Sequence, residues 1–316
     1  MSKMNKIISV NPGDQTCVVE AGVTREDLNS FIRDTGLHFP VDPGANASLG
    51  GMTATSASGT TAVRYGTMKE NVVNMEVIMA NGQVVHTAGE GRHFKKSSAG
   101  YNLTELFVGS EGTLGIISKI TLRLHPQPEA VKAAVCQFDS VEAAIQTTIE
   151  ALQYNIPLAR VELLDTMSIQ VCNDYANTGL SKKPTLFFEF HGTENAVTYD
   201  IELVKEIAQG YDCLSWDDAS SIEERSRLWK ARHSLWFAFS AQFGKEDLKP
   251  YSTDVCVPID NLDEMISQAK EILDSSYAKG QYGILGHVGD GNFHIILPGI
   301  ISDYNNVNEL KSESSK

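Results

Sequence analysis

The sequence predicts two consecutive domains, the second a sheet with helices laid on one face of it, of α/β or α+β class. Three observations predict this. The chain has 316 residues, enough for about two domains. Apolar residues recur in alternation with the strand period and the helix period, the pattern of helices packed on a sheet. A Pro-containing stretch at residues 125–128 (HPQP) breaks that rhythm and is read as the boundary, because such stretches commonly connect domains. The domains are then residues 1–128 and 129–298. Residues 299–316 form a polar tail whose Asn, Ser and Glu content predicts disorder.

Composition sets the outer limits. With 42% hydrophobic and 21% charged residues, the chain reads as soluble and globular. It has no run of about 18 apolar residues, so no membrane span is expected. The formal net charge of −14 argues against nucleic acid as a partner, since phosphate binding needs clustered Lys and Arg. Cys17, Cys136, Cys172, Cys213 and Cys256 are scattered and form no CxxC. They read as free thiols in a reducing compartment, not as a disulfide framework or a zinc ribbon. The first residues, MSKMNKIISVNPGD, show no long apolar segment and too little Arg for a transit peptide, so no targeting segment is read there.

Taken in order, residues 16–20 (TCVVE) predict a strand. Thr24 can cap a helix ending at about residues 31–33, with Glu26 and Asp27 favouring its dipole and Gly36 stopping it. Residues 74–87 predict a hairpin around Asn81-Gly82, the pair preferred in type I′ turns. A short helix is expected at 103–108 and a strand at 115–124. That strand alternates, with Ile117, Lys119, Thr121 and Arg123 on one face and Ile116, Ile120 and Leu122 on the other. Beyond the boundary, strands are expected at 131–138, 159–164, 185–191, 213–216, 253–257, 281–287 and 292–297. Helices alternate with them at 141–154, 166–175, 196–209, 223–243 and 262–275.

Residues 39–66, FPVDPGANASLGGMTATSASGTTAVRYG, fit neither period. Asp42 is the one acid and Arg64 the one base, and the composition is wrong for a helix. Gly allows close backbone approach, and rows of exposed backbone N–H groups make concavities for anions. A large, partly anionic ligand such as a dinucleotide cofactor fits; a flexible linker is the other reading. No GxGxxG opens a helix after a strand, so a nicotinamide cofactor lacks its usual support.

The run VDPGANASLGGMTATSASGTTAVRYGTMKENVVNMEVIMANGQVV, followed by GSEGTLGIISKITLRLHP, closely resembles the FAD-linked oxidases of the vanillyl-alcohol-oxidase type. Within them it is similar to the branch of cytochrome-linked D-lactate dehydrogenase, glycolate oxidase and D-2-hydroxyglutarate dehydrogenase. The resemblance covers about residues 11–298 and implies an α+β chain. Residues 1–128 would be the second part of a PCMH-type FAD-binding domain, and residues 129–298 a cap, or substrate, domain with a mainly antiparallel sheet. It implies that Pro43, Gly44, Ala45, Ser48, Gly50, Gly51 and Thr53 line the FAD, with Ser56, Ser58, Gly59 and Gly66 beside them. Glu111, Gly112, Ile116 and Ile117 would contact its other end.

The implied activity is oxidation of D-lactate or a similar D-2-hydroxy acid to the 2-oxo acid. Hydride would go to flavin N5 and electrons to cytochrome c or another acceptor, in the mitochondrion. The family also has an upstream flavin subdomain and a downstream segment with a third metal ligand and a catalytic His, neither of which this sequence matches. An inactive truncated form is therefore the alternative expectation.

Two further constellations carry chemistry. In HVGDGNFH, Asp290-Gly291 reads as a two-residue hairpin turn, which places His287 opposite His294 with Cβ atoms roughly 4.5–5.5 Å apart. Two such imidazoles can share a divalent ion; an exposed His pair is the plainer reading. By resemblance the pair binds zinc or manganese, and Asn292 lies near the substrate. A metal-dependent hydrolase would need a further ligand such as Asp254 or Asp290, and Asp290 is expected to point away in the turn. In ERSRLWKARHSLWF, Trp229, Arg232 and Trp236 share a helix face. The planar fork of Arg suits a carboxylate, and by resemblance Arg232 binds the substrate's. The alternative is a solvated face where Glu223, Glu224 and Arg227 pair locally. His38, His86, His93, His125, His191 and His233 fit no ligand spacing.

Overall fold

Antiparallel pairing organises both halves of the chain. The computed structural model describes residues 3–176, 179–219, 223, 229, 232, 235–243, 250–276 and 278–298. It separates into two compact units, residues 1–128 and 129–316. The tail at 299–316 lies outside the described residues, as do Glu224, Arg225, Arg227 and His233.

The first unit runs β1 (Ile7–Asn11), β2 (Thr16–Glu20), α1 (Arg25–Ile32), β3 (Leu37–His38), α2 (Leu49–Ala54), α3 (Ala62–Tyr65), α4 (Met68–Asn71), β4 (Val72–Ile78), β5 (Val84–His86), α5 (Leu103–Phe107), β6 (Ile116–Arg123) and β7 (His125–Pro126). Its five-stranded sheet has the order β1-β2-β6-β4-β5, and β3 pairs with β7. Helix α1 starts as its sequence directs. The Thr24 side chain accepts from the Asp27 N–H, and Gly36, at φ 71°, ends the turn that follows. Leu28, Ile32, Phe39, Met75 and Ile120 meet in the core.

Three expectations are corrected in this unit. Residues 39–66 are not free of helix, since α2 and α3 lie within them. Ser48 caps α2 by accepting from the Gly51 N–H, and Gly50 lets that helix press on Ala21, where a Cβ would sit 2.6 Å from the Ala21 Cβ. The β4–β5 turn is not type I′. In the Asn81-Gly82 pair only Gly82 has positive φ, 81°, and its N–H donates to the Met79 carbonyl at 2.9 Å. This is a type I turn followed by a left-handed glycine. Strand β6 does not alternate as expected: Lys119 pairs with Glu76 but Ile117 with Val77, so Ser118 is the extra residue of a bulge. Ile117 thereby joins Ile120 and Leu122 in the core, while Ile116 is 59% exposed.

The second unit runs β8 (Ala130–Gln137), α6 (Val141–Gln153), β9 (Leu158–Leu164), α7 (Thr166–Ala176), β10 (Thr185–Gly192), α8 (Glu194–Gly210), β11 (Ser215–Ala219), α9 (Leu235–Phe243), β12 (Tyr251–Ser252), β13 (Val255–Cys256), α10 (Leu262–Asp274), β14 (Gly283–Gly286) and β15 (Asn292–Leu297). Glu223, Trp229 and Arg232 are also helical. The sheet order is β11-β8-β10-β9-β14-β15-β12, with β13 also on β15, and every pair is antiparallel. The class is α+β, as the resemblance implies.

One sheet face presents Phe138, Leu163, Phe188 and Phe190 to the apolar sides of α6, α8 and α10. The other packs Leu164, Phe187 and Leu285 against Ile169 of α7, Trp229 and Phe239 of α9. That second face also carries four ionisable side chains on two neighbouring strands: Arg160 and Glu162 of β9, and Glu189 and His191 of β10. Among the described residues no helix is long and apolar enough to cross a membrane.

Asp165 opens α7, its Oδ1 accepting from the Ser168 N–H at 2.8 Å. Burial pushes its pKa from 3.8 up to about 6. The folded state therefore holds this proton more tightly than the unfolded chain, and ionising the group costs stability as pH rises from about 4 to 6. Asp165→Asn is expected to raise stability at neutral pH and to change nothing below pH ~4, read by urea denaturation at both. The full shift is worth ~3 kcal/mol. Asp165 is only half-buried and borders a cavity of about 300 Å³, so solvent lowers the expected gain. A gain of about 1–2 kcal/mol remains. Equal gains at the two pH values would defeat this account.

Candidate functional site

In the first unit, the two segments implied to hold a flavin meet. The Gly109 N–H donates to the Thr53 carbonyl at 3.0 Å and the Glu111 N–H to the Ala54 carbonyl at 2.9 Å, so the GSEGTLG loop is bonded to the end of α2. Pro43 is half-buried, and Gly44, Ala45, Gly51, Ser58, Glu111, Gly112 and Ile116 are exposed around this junction. Gly50 and Gly59 are buried, and Gly66 has φ 74°. Two of the implied contact residues are spent elsewhere: the Thr53 hydroxyl donates to the Leu49 carbonyl, and Ile117 is in the core. Neither side chain is offered to a ligand.

This junction fits a large polar group on two counts. Ser56 and Glu111 hold positive φ, 51° and 46°, a conformation that costs energy and clusters at ligand sites. The hydroxyls of Thr60 and Ser110 are buried without a hydrogen-bond partner among the described residues, although buried polar groups are nearly always paired.

In the second unit, the histidine pair forms, but not by the expected register. Strand β14 ends at Gly286, His294 pairs with Leu285, and His287 leads into a 3-10 turn over Val288–Asp290. The connection is longer than two residues because the Asp290 N–H and the Asn292 N–H both return to the His287 carbonyl, and Gly291 takes φ 74° to close it. The imidazoles still meet edge to face with centroids 5.4 Å apart. Asp254 comes nearer than expected. Its Oδ1 lies 3.5 Å from His294 Nδ1 and accepts from Asn292 Nδ2 at 2.8 Å.

The centre of this site is a residue that the sequence motifs do not contain. Glu162 is fully buried on β9. One carboxylate oxygen accepts from Arg232 Nε at 2.7 Å, and the other is bonded to His287 Nδ1. Burial alone would push its pKa up, but the charges of Arg232 and His287 and their hydrogen bonds outweigh that and hold it below the usual carboxylate value. His294 Nδ1 faces the Thr253 carbonyl at 3.1 Å, and burial, with the charge of His287, lowers its pKa. A signal for Glu162 exists in the sequence: LARVELL is an apolar strand interrupted by Arg and Glu two residues apart, hence on one face.

A parallel network lies on β9 and β10. Glu189 is bonded to His191 Nε2 at 2.8 Å and paired with Arg160 at 3.2 Å, and Arg160 stacks over the Trp229 ring at 4.9 Å. Trp229 is thus in contact with this network, whereas Trp236 is 41% exposed.

Both imidazoles have their Nδ1 facing an oxygen, which leaves Nε2 as the atom of each that could coordinate a metal. The donor set fits two ligands of a divalent ion. Among the described residues no group of three or more His, Cys, Asp or Glu side chains is arranged to hold one. Arg232 uses its Nε edge for Glu162, and its terminal nitrogens have no partner among the described residues. Asn292 Oδ1 is buried and also unpartnered there.

Comparison with known proteins gives the family of the chain. Residues 127–310 match the FAD linked oxidases, C-terminal domain, and residues 1–88 match the FAD binding domain. The chain is 51% identical over 313 residues to "Probable D-lactate dehydrogenase, mitochondrial" of Danio rerio, covering 98% of this chain and 61% of that protein. It is 42% identical to "D-lactate dehydrogenase (cytochrome), mitochondrial" of Arabidopsis thaliana, covering 94% of this chain and 51% of that protein. It is 33% identical to the glycolate oxidase GlcD protein of Bacillus subtilis, covering 98% of this chain and 64% of that protein. The chain thus spans between about half and two thirds of these relatives. Among solved structures it is similar in fold to alkyldihydroxyacetonephosphate synthase (TM-score 0.79, 17% identity, 100% of this chain and 61% of that one). It is also similar to p-cresol methylhydroxylase (TM-score 0.76, 18% identity, 100% of this chain and 68% of that one). With its matched segment spanning more than half of its length, the chain belongs to the FAD-linked oxidases.

Proposed function

We propose that this chain serves the FAD-dependent oxidation of D-lactate or a similar D-2-hydroxy acid to the 2-oxo acid. The observation that carries the reading is Arg232, held by Glu162 along its Nε edge, in a site with His287, His294 and Asn292. The Nη edge of Arg232, which has no partner among the described residues, suits a carboxylate, which it can grip with two parallel hydrogen bonds. Asn292 Oδ1 is an acceptor for the substrate hydroxyl. The two Nε2 lone pairs could hold a zinc or manganese ion, which would supply Lewis-acid chemistry at the substrate hydroxyl, or could take up the hydroxyl proton directly. When bound to the first unit, FAD supplies the hydride acceptor.

In that unit, Pro43, Gly44, Ala45, Ser48, Gly51, Ser56, Ser58, Gly66, Glu111 and Gly112 are the residues we assign to the cofactor, with Gly50, Gly59 and Ile117 supporting the backbone behind them. Ile116, exposed at the start of β6, offers it an apolar contact. A cytochrome is a candidate acceptor and the mitochondrion the candidate compartment, both drawn from the names of the relatives. A hydrolase is not favoured, because no third ligand joins the two imidazoles among the described residues.

The test is an absorption spectrum of the purified chain with and without added FAD. A flavin band that survives gel filtration and bleaches on D-lactate is the expected result. A retained band that no 2-hydroxy acid bleaches removes the substrate reading. A chain that retains no flavin removes the catalytic one and leaves a form without cofactor.

A further inference from the structure

We propose that Glu162 is the positioning residue of the second unit's site: its carboxylate, paired with Arg232, keeps the proton of His287 on Nδ1 and so turns the Nε2 lone pair outward. This rests on the reading of His287 as a ligand or proton acceptor, and it adds the residue that makes His287 one.

The argument starts from burial. Glu162 is on β9, the central part of the sheet, and has no exposed surface. A buried charge persists only where it is paired and hydrogen-bonded. Glu162 has both, from two elements that are distant in sequence. Arg232 Nε reaches one oxygen at 2.7 Å, and His287 Nδ1 is bonded to the other. A carboxylate beside a guanidinium is an acceptor only, so the His287 nitrogen that faces it is the donor. A neutral imidazole has one N–H, so Nε2 is left with its lone pair. Without Glu162, nothing among the described residues selects between the two ring tautomers of His287, because Nε2 has no partner there.

The same carboxylate also fixes which edge of Arg232 is used. By occupying Nε it leaves the two terminal nitrogens, the edge that matches a carboxylate in a fork. One buried side chain therefore aims two groups. His294 is aimed differently, by a backbone carbonyl, that of Thr253. Glu162 does not reach His294, whose Nδ1 has the Thr253 carbonyl at 3.1 Å and Asp254 Oδ1 at 3.5 Å beside it, so substitution of Glu162 acts on one ring and spares the other.

The experiment uses the full chain, with zinc as the probe. Long-range proton–nitrogen NMR of the zinc-free wild type reads the His287 ring directly, and the Nδ1–H tautomer is expected. In Glu162→Gln the side-chain amide can present its N–H₂ to the ring, and the signal is expected to move toward the Nε2–H tautomer, with His294 unchanged. Zinc affinity, from competition with a chelator, is expected to fall about 10–100-fold in Glu162→Gln, the range for loss of a partner behind a metal-bound His. His287→Ala and His294→Ala are the controls. If they abolish zinc binding and Glu162→Gln leaves it intact, the positioning role is overturned. If neither control affects zinc binding, the reading of the pair as metal ligands fails, and the tautomer in the wild type still decides the role of Glu162. An Nε2–H tautomer in the wild type overturns the proposal outright, whether or not Glu162→Gln folds.

Discussion

Replacing Arg232 with alanine is expected to cost about 3–5 kcal/mol of folding stability, the range for stranding one member of a buried ion pair. The reason lies in the partner left behind. Glu162 has no exposure to water, and its side chain cannot move to the surface because it stands on an internal strand. In the wild type the lowered pKa of Glu162 contributes stability that is fully present above the ordinary carboxylate value of 4.5 and is lost as pH falls through the lowered one. In Arg232→Ala burial is opposed by His287 alone, so the pKa rises and acidification is expected to recover part of the loss. Urea denaturation at neutral pH and near pH ~5 measures both effects. Adding Glu162→Gln to Arg232→Ala should restore stability toward the wild type, since the stranded charge is then gone. A loss under ~1 kcal/mol in the single variant would show that the pair behaves like a surface one.

Gly59→Ala is expected to be nearly as damaging, at about 3 kcal/mol, the upper end of overpacking costs. A Cβ at position 59 would stand 1.9 Å from the Asp42 carbonyl oxygen and 2.5 Å from its carbon. Those are backbone atoms, which cannot rotate away as a flexible side chain does. Relief has to come from separating the chain at Asp42 from the chain at Gly59. Asp42 is also paired with Arg25 at 3.3 Å, so the strain passes to the start of α1. Both backbone segments belong to the loop assigned to FAD. Flavin retention is therefore expected to fall along with the denaturation midpoint. Gly44→Ala is the matched control for left-handed strain without a clash, because no atom lies within 4 Å of its added Cβ. A loss under ~1 kcal/mol in Gly59→Ala would show that the chain at Asp42 yields to the added Cβ and that the close approach does not govern this loop.

Much of the fold was legible because local rules and tertiary packing agree in it. Thr24 and Gly36 bracket α1 as their chemistry directs, and the apolar periods of α6, α8 and α10 match the sheet face they cover. Strand direction was legible only through the family resemblance, since alternation of apolar residues says nothing of which neighbour a strand will choose. The misread turns have a common cause. Asn81-Gly82 and Asp290-Gly291 both look like two-residue hairpin turns, yet in each only the glycine has positive φ. The Asn81 side chain accepts from the Gln83 N–H, which holds Asn81 in the ordinary region. The residue at the middle of the site escaped because a motif is contiguous and Glu162 is not. It stands more than a hundred positions before the histidine it serves, and only its charge inside LARVELL betrayed it.

The strand order has a consequence for how the chain is made. Strand β9 pairs with β10, which follows it closely, but its other edge is completed by β14, where Leu164 meets Leu285. On a ribosome that second edge stays open until well over a hundred further residues have been polymerised. For that interval the nascent sheet presents unpaired N–H and carbonyl groups, a template for joining another chain. It also presents Glu162 before His287 exists to receive it. An acidic group at an open strand edge discourages pairing with a neighbour. Once β14 docks, that side chain meets His287 and is sealed inside the finished sheet.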